Sequence, residues 1–384
     1  LAGATIVQPT GLLSPGTLTV EGDRITEVAA GHRPADARDI HDHYIVPGFV
    51  DVHVHGVEGF DSLAGGDAVA AIARRLPRYG VTAFCPTSIA CPPSDLRAMF
   101  SAIRAARLHP APDAARVLPA HLESNFISAE FKGAQPETCI RRPHQSVEGS
   151  FSGRDILDEI ARWRGEVGIL TVAPEVDGVL ALIPELISHG HRVSLGHSGA
   201  TYEQGLAGVA AGARQATHLF NRMTGFGHRA PGLAGAVLDC DELVAEVICD
   251  GVHVHPASVR VAVAAKSPSR IMAITDGTAG SGLEPGSRTG LGGRPITVRD
   301  AAYLDDGTLA GSVLTMDRAF SSLITMGFTI VDAALMCSTT PARQLNLHGC
   351  GIIAPGATAD FVVLDRDFAV VETYIEGIRV YVRG

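Results

Sequence analysis

Residues 47–56 read PGFVDVHVHG, and the decisive part is the pair His53 and His55 around Val54. Side chains alternate across a strand, so the two histidines project together while Val52 and Val54 turn to the other face. Two imidazoles on one side of a strand end form a grip for a divalent metal. Taken alone, an H-x-H pair is more often two ordinary histidines on a half-exposed strand. What decides the matter is the company the pair keeps along the chain.

Outward from this stretch, eight short apolar runs alternate with helical patterns: 45–55, 81–89, 117–123, 167–173, 191–196, 215–219, 243–249 and 271–275. Between them lie segments such as 67–79, 94–108, 154–164 and 179–189, with apolar residues at helical spacing. Strands that alternate with helices pair in parallel through right-handed crossovers. Eight such units predict an α/β fold, a (β/α)8 TIM-type barrel over residues 45–351. A doubly wound open sheet is the competitor, but no G-x-G-x-x-G follows the first run.

The two ends read differently. Residues 1–44 hold short β-like pieces at 17–20 and 24–28, and residues 352–384 hold others at 360–364, 370–374 and 379–382. Neither end has enough strands for a sheet of its own, so together they predict one small β-sandwich beside the barrel. The Gly-rich segment 286–309 is expected to be an insertion near the barrel mouth, with a hairpin of 294–298 against 302–304.

Composition narrows the function. The chain has 384 residues, 46% hydrophobic and 19% charged, with a net charge of −10. Its only lysines are Lys132 and Lys266, and no basic cluster offers a footprint for nucleic acid. No apolar run has membrane length and no signal peptide is visible. Seven scattered cysteines without a C-x-x-C fit reduced thiols in a cytoplasmic protein.

Residues competent for metal or proton chemistry recur where the barrel strands end. They are His53 and His55 on strand one, Glu123 on strand three, His197 after strand five and His218 after strand six. Asp250 and His253 follow strand seven, and Asp276 follows strand eight. In a barrel these ends converge on one face, where active sites form. Such residues at six of eight ends point to a metal site rather than coincidence. A metal lowers the pKa of water from about 16 toward 7, and one carboxylate can then serve as general base and general acid.

These motifs resemble the amidohydrolase superfamily and, within it, the N-acetylglucosamine-6-phosphate deacetylases. The matching stretches are PGFVDVHVHG, HLES followed by KGA at 132–134, GHSGATY, THLFNRM, RAPG, DGVHVHP, ITDG, DGTLAGSVLTMD and PGATADFVVLD. The resemblance implies that Glu123, His197 and His218 hold one divalent metal, and that His53 and His55 help hold a second, with Glu123 bridging. It implies zinc first, with iron, manganese or cobalt as alternatives, at one or two ions per chain. Asp276 matches the catalytic acid/base and a further metal contact. Asn221, Arg229, His253 and the turn Leu309, Ala310 and Gly311 match positions that hold the sugar phosphate, and Ala134, Gln135 and Arg222 are counted with them. The implied partner is a small amino-sugar phosphate, and the implied assembly a homodimer.

Three departures fall on the substrate side. Where the family shows LEGPF, this chain has Leu122, Glu123, Ser124, Asn125 and Phe126. Arg222 stands where alanine is usual, and Gln135 where a histidine usually polarises the acyl carbonyl. An amide donates a hydrogen bond but exchanges no proton at neutral pH. The leading expectation is deacetylation of N-acetylglucosamine 6-phosphate. The alternatives are the same reaction on another N-acetylated amino-sugar phosphate, such as N-acetylgalactosamine 6-phosphate, and a non-catalytic sugar-phosphate binder. His121, one layer below Glu123, is expected to be a packed or supporting histidine, and His255 has no assigned role.

Overall fold

Nearly every residue of the eight central strands is buried, on both faces, as parallel strands covered by helices require. The computed structural model describes residues 1–31, 34, 35, 37–144 and 149–384. The barrel strands are Phe49–Val54, Val81–Ser88, Ala120–Glu123, Val167–Val172, Arg192–Leu195, Gln215–Ala216, Val244–Ile248 and Ile271–Ile274. Each pairs in parallel with the next in chain order. The ring closes between last and first: Asp276 N donates to His53 O at 3.0 Å, and Val54 forms a parallel bridge with Gly277. Every run read from the sequence supplies one of these strands.

The crossover helices start where side chains can cap them. Ser152 and Asp155 form a reciprocal capping box before Gly153–Arg162, and Thr201 and Gln204 do the same before Tyr202–Ala211. His255 accepts a bond from Ala257 N and caps Pro256–Lys266, which gives that histidine a structural role.

Both chain ends meet in one seven-stranded sheet. Its order is Ile378–Val382, Val370–Ile375, Phe361–Leu364, Tyr44–Pro47, Ala2–Gln8, Gly11–Glu21 and Arg24–Ala30. The far strand folds back, since Arg24 bridges Thr358 and Ile25 N donates to Ala357 O. The sheet thus encloses its own core of Ile6, Leu18, Ile25, Ile45, Phe361 and Val363. The run 45–55 divides at Gly48, so the end sheet reaches Pro47 rather than stopping at residue 44. A Cβ at Gly48 would lie 2.3 Å from the Thr82 side chain, so only glycine lets the chain pass from sheet to barrel there.

The segment after the eighth strand carries the expected hairpin, Arg294–Val298 against Ala302–Leu304, plus a third strand, Arg288–Leu291. It packs Leu291, Ile296, Ala302 and Ala310 against Ile89 beside the barrel mouth.

Candidate active site

Three strand ends share one backbone device. His197, His218 and Asp276 each stand two residues beyond their strands, and their φ angles are 48°, 31° and 48°. Left-handed backbone costs a side-chain-bearing residue about 1–2 kcal/mol. Hydrogen bonds hold the bends: Ser128 N donates to His197 O and Asn221 N to His218 O, both at 2.9 Å. Strain that is over-determined in this way concentrates at functional sites.

The result is one buried cluster. Glu123 Oε1 lies 2.8 Å from Nε2 of both His197 and His218, whose Nε2 atoms are 3.1 Å apart. Beside them, His53 Nε2 is 3.3 Å from His55 Nε2, and Asp276 Oδ1 is 3.4 Å and 3.1 Å from these two atoms. Glu123 faces both groups, with Oε1 3.8 Å from His53 and Oε2 3.8 Å from His55. Imidazole nitrogens and carboxylate oxygens converging in this way repel unless protons or a cation lie between them. The donor set, nitrogen and oxygen only, fits zinc, iron, manganese or cobalt. Two groups of ligand atoms, Glu123 with His197 and His218 and Glu123 with His53 and His55, are each tight enough for one ion.

The electrostatics agree. Burial opposes charge on His53, but Asp276, Glu246 and Glu123 outweigh it and raise its pKa to about 10. Burial likewise opposes charge on Glu123 and Asp276, yet the surrounding histidines hold both carboxyls below their usual range. The His218 imidazole is raised against burial by Glu123 and Asp276. Such a cluster holds protons that a bound metal must displace.

A layer of buried polar residues stands beneath, and most of it escaped the sequence reading. Glu246 accepts from His53 Nδ1 at 3.0 Å and from Gln215 Nε2 at 2.5 Å. Asp51 accepts from Thr275 Oγ1 at 2.6 Å and from His53 N at 3.2 Å, while burial pushes its carboxyl up to about 7. Asp51 was legible, because alternation puts it on the face of His53 and His55. Glu246 left only a weak signal, one acid within the apolar strand Val244–Ile248. His121 is the supporting residue expected of it, bonded at Nδ1 to Val52 O and at Nε2 to Thr171 Oγ1, both at 2.9 Å.

Above the cluster lies a small cleft lined by His55, Glu123, Ala134, Gln135, His197, His218, Asn221, Arg222, His253, Asp276, Leu291, Leu309 and Gly311, with Ile89 at its wall. Most of the residues assigned to substrate are therefore together. Ala310 is not in the lining: it is buried under the insertion, its N–H bonded to Ala302 O. Nor is Arg229, which is exposed on the segment that leaves the barrel before Pro231. Arg222, at φ 49°, lies over Gly133 at the cleft. His253 Nδ1 is fixed on Asp250 Oδ2 at 2.6 Å.

The departures Ser124 and Asn125 serve the scaffold. Ser124 Oγ donates to Thr171 O at 2.5 Å, and Asn125 Nδ2 donates to Cys91 O and Cys139 O at 2.9 and 2.7 Å. Gln135 donates from Nε2 to Glu123 Oε2 and accepts from Ala90 N at 2.7 Å.

Comparison with known proteins agrees with this geometry. The amidohydrolase family profile matches residues 44–384. The N-acetylglucosamine-6-phosphate deacetylase of Danio rerio is 38% identical over 90% of this chain and 87% of its own. An N-acetylgalactosamine-6-phosphate deacetylase of Escherichia coli O157:H7 is 34% identical over 87% of this chain and 86% of its own. A single-residue variant of the Mycobacterium smegmatis N-acetyl-D-glucosamine-6-phosphate deacetylase, solved in complex with N-acetyl-D-glucosamine-6-phosphate, is 34% identical. It superposes with a TM-score of 0.89 over 99% of this chain and 98% of its own. With its barrel, its strand-end cluster and these likenesses, the chain belongs to the amidohydrolase family and, within it, to the N-acetylglucosamine-6-phosphate deacetylases.

Proposed function

We propose that this chain hydrolyses the acetamide of N-acetylglucosamine 6-phosphate to acetate and glucosamine 6-phosphate. The observation that carries the reading is the placement of Asp276 Oδ1, 3.1 Å from His55 Nε2, at the floor of the cleft that Asn221, Arg222 and His253 also line. A divalent metal, when bound by Glu123, His197 and His218 and by His53 and His55, acidifies water and so supplies a nucleophile at neutral pH. Asp276 takes the proton released as the new C–O bond forms at the acetyl carbon. It returns that proton to the sugar nitrogen as the C–N bond breaks, acting as base and then acid. Arg222 offers a guanidinium for the phosphate, a pairing favoured by matching planar geometry.

Zinc is the proposed ion, two per chain, with iron, manganese or cobalt as alternatives the same ligands accept. A reducing, cytoplasmic setting is proposed on the seven free cysteines. No helix among the described residues is long and apolar enough to cross a membrane. A homodimer is proposed on the family likeness, and the exposed Phe226 offers an apolar contact for it.

Two observations favour a second reading, the galactosamine epimer as substrate: Arg222 adds a positive charge to the cleft lining, and one relative carries that activity in its name. Acetate release by metal-loaded protein from a panel of N-acetylated sugar phosphates tests both. Fastest release from the glucosamine compound supports the first reading, and fastest release from the galactosamine compound replaces it with the second. No release from any member defeats the hydrolase reading.

A further inference from the structure

We infer that Glu246 positions His53 and thereby decides whether the second metal binds. The inference rests on the proposed reading of His53 and His55 as ligands of that metal. A carboxylate only accepts, so the contact of 3.0 Å from His53 Nδ1 to Glu246 Oε2 puts the ring hydrogen on Nδ1. Nε2 is then the nitrogen left to bind a metal that displaces its proton, and it faces His55, Asp276 and Glu123. A metal-binding histidine is held and made more basic by such a partner, and loss of the partner weakens metal binding about 10–100-fold.

The four imidazoles of the cluster are not held alike. His197 Nδ1 bonds the backbone carbonyl of Phe131 at 2.8 Å. Nδ1 of His55 and of His218 is buried without a partner. Among the described residues, His53 is the one imidazole of the four whose outer nitrogen meets a carboxylate. Glu246 is itself pinned, fully buried in the strand Val244–Ile248, with Gln215 Nε2 on its other oxygen and His218 N at 3.4 Å. Its negative charge adds to those of Glu123 and Asp276 and offsets a second dication. Glu246, His53 and His121 also form a compact trio. That trio is no third metal site, because both ring nitrogens of His121 are engaged by Val52 O and Thr171 Oγ1.

The test uses metal-free full-length protein titrated with Co2+ alone. Bound cobalt is counted by elemental analysis, affinities come from competition with a chelator, and the visible absorption of each equivalent is recorded. Wild type should bind two equivalents. Glu246→Gln keeps shape and volume, so the first equivalent should bind unchanged while the second weakens about 10–100-fold and loses its absorption signature. Glu246→Asp, which withdraws the carboxylate by one methylene, should act in the same direction and serves if the amide variant is insoluble. A second equivalent bound as in wild type overturns the inference. So does an equal loss at both equivalents, which marks a general disturbance of the barrel. If wild type itself binds one equivalent and His53→Asn leaves that unchanged, the two-metal reading fails independently of any variant at Glu246, and the inference falls with it.

Discussion

The amide of Gln135 donates to Oε2 of Glu123 while Oε1 of the same carboxylate faces His197 and His218. Gln135 is itself held, since its oxygen accepts from Ala90 N. It fixes the rotation of a proposed bridging ligand. Gln135→Leu should weaken metal retention and lower kcat about tenfold, the scale of a lost bond to a charged group. KM should move less. Metal content after dialysis and steady-state rates check this; a change in KM alone would return Gln135 to a purely substrate-binding role.

Replacing His53 and His55 together with asparagine should remove one metal per chain and leave the site of Glu123, His197 and His218 filled. The distances of these rings from Glu123, 3.8 Å against 2.8 Å, already separate the two groups. Elemental analysis of the double variant decides the point, and unchanged metal content would defeat the assignment.

Asp276→Asn keeps the side-chain volume but cannot accept the proton. Turnover should fall at least about a hundredfold with the fold and substrate binding retained. Near-normal turnover in metal-loaded variant protein would assign the proton transfer to another group.

Arg222 lines the cleft and Arg229 does not. Arg222→Ala should raise KM for the phosphorylated sugar by roughly ten- to a hundredfold, about 1.5–3 kcal/mol of charge-assisted bonding. Hydrolysis of the unphosphorylated sugar should barely change. Arg229→Ala, measured in parallel, should have the smaller effect. Equal losses on both substrates for Arg222→Ala would remove the phosphate from its role.

Burial lowers the pKa of His121 from 6.5 to about 4. Between those values the unfolded chain binds the proton and the folded protein does not, so stability rises with pH in that window. As pH falls from about 6.5 to about 4, this histidine alone should remove roughly 3 kcal/mol. Denaturant titrations of metal-free protein at several pH values should show that slope, and His121→Gln should flatten it. An unaltered slope in the variant would assign the acid sensitivity elsewhere.

How much of this was legible follows from what each residue had to signal. Strand-end residues announced themselves because apolar runs stop at them, as at His218 and Asp276. Residues inside a run did not: Glu246 has no neighbour in sequence that explains it, and its reason, His53, lies on the opposite side of the ring closure. Arg229 is the converse case: a linear pattern gives its spacing from His218 but not where an exposed loop stands relative to the mouth, and in this chain it lies outside the cleft lining. Ser124 and Asn125 looked like changes of specificity and are bonds to Thr171, Cys91 and Cys139, partners that only the folded loops bring near.

The strand Tyr44–Pro47 lies between Ala2–Gln8 and Phe361–Leu364. On the ribosome the first two emerge early, whereas the third follows only after the whole barrel has been made. Until then the growing chain carries an open β edge, the kind of edge that recruits other strands. Phe361–Leu364 is therefore a seal applied only after the barrel is complete. A protease that clips it from the finished enzyme would leave every residue of the catalytic cluster in the chain and still return the molecule to its sticky, nascent condition.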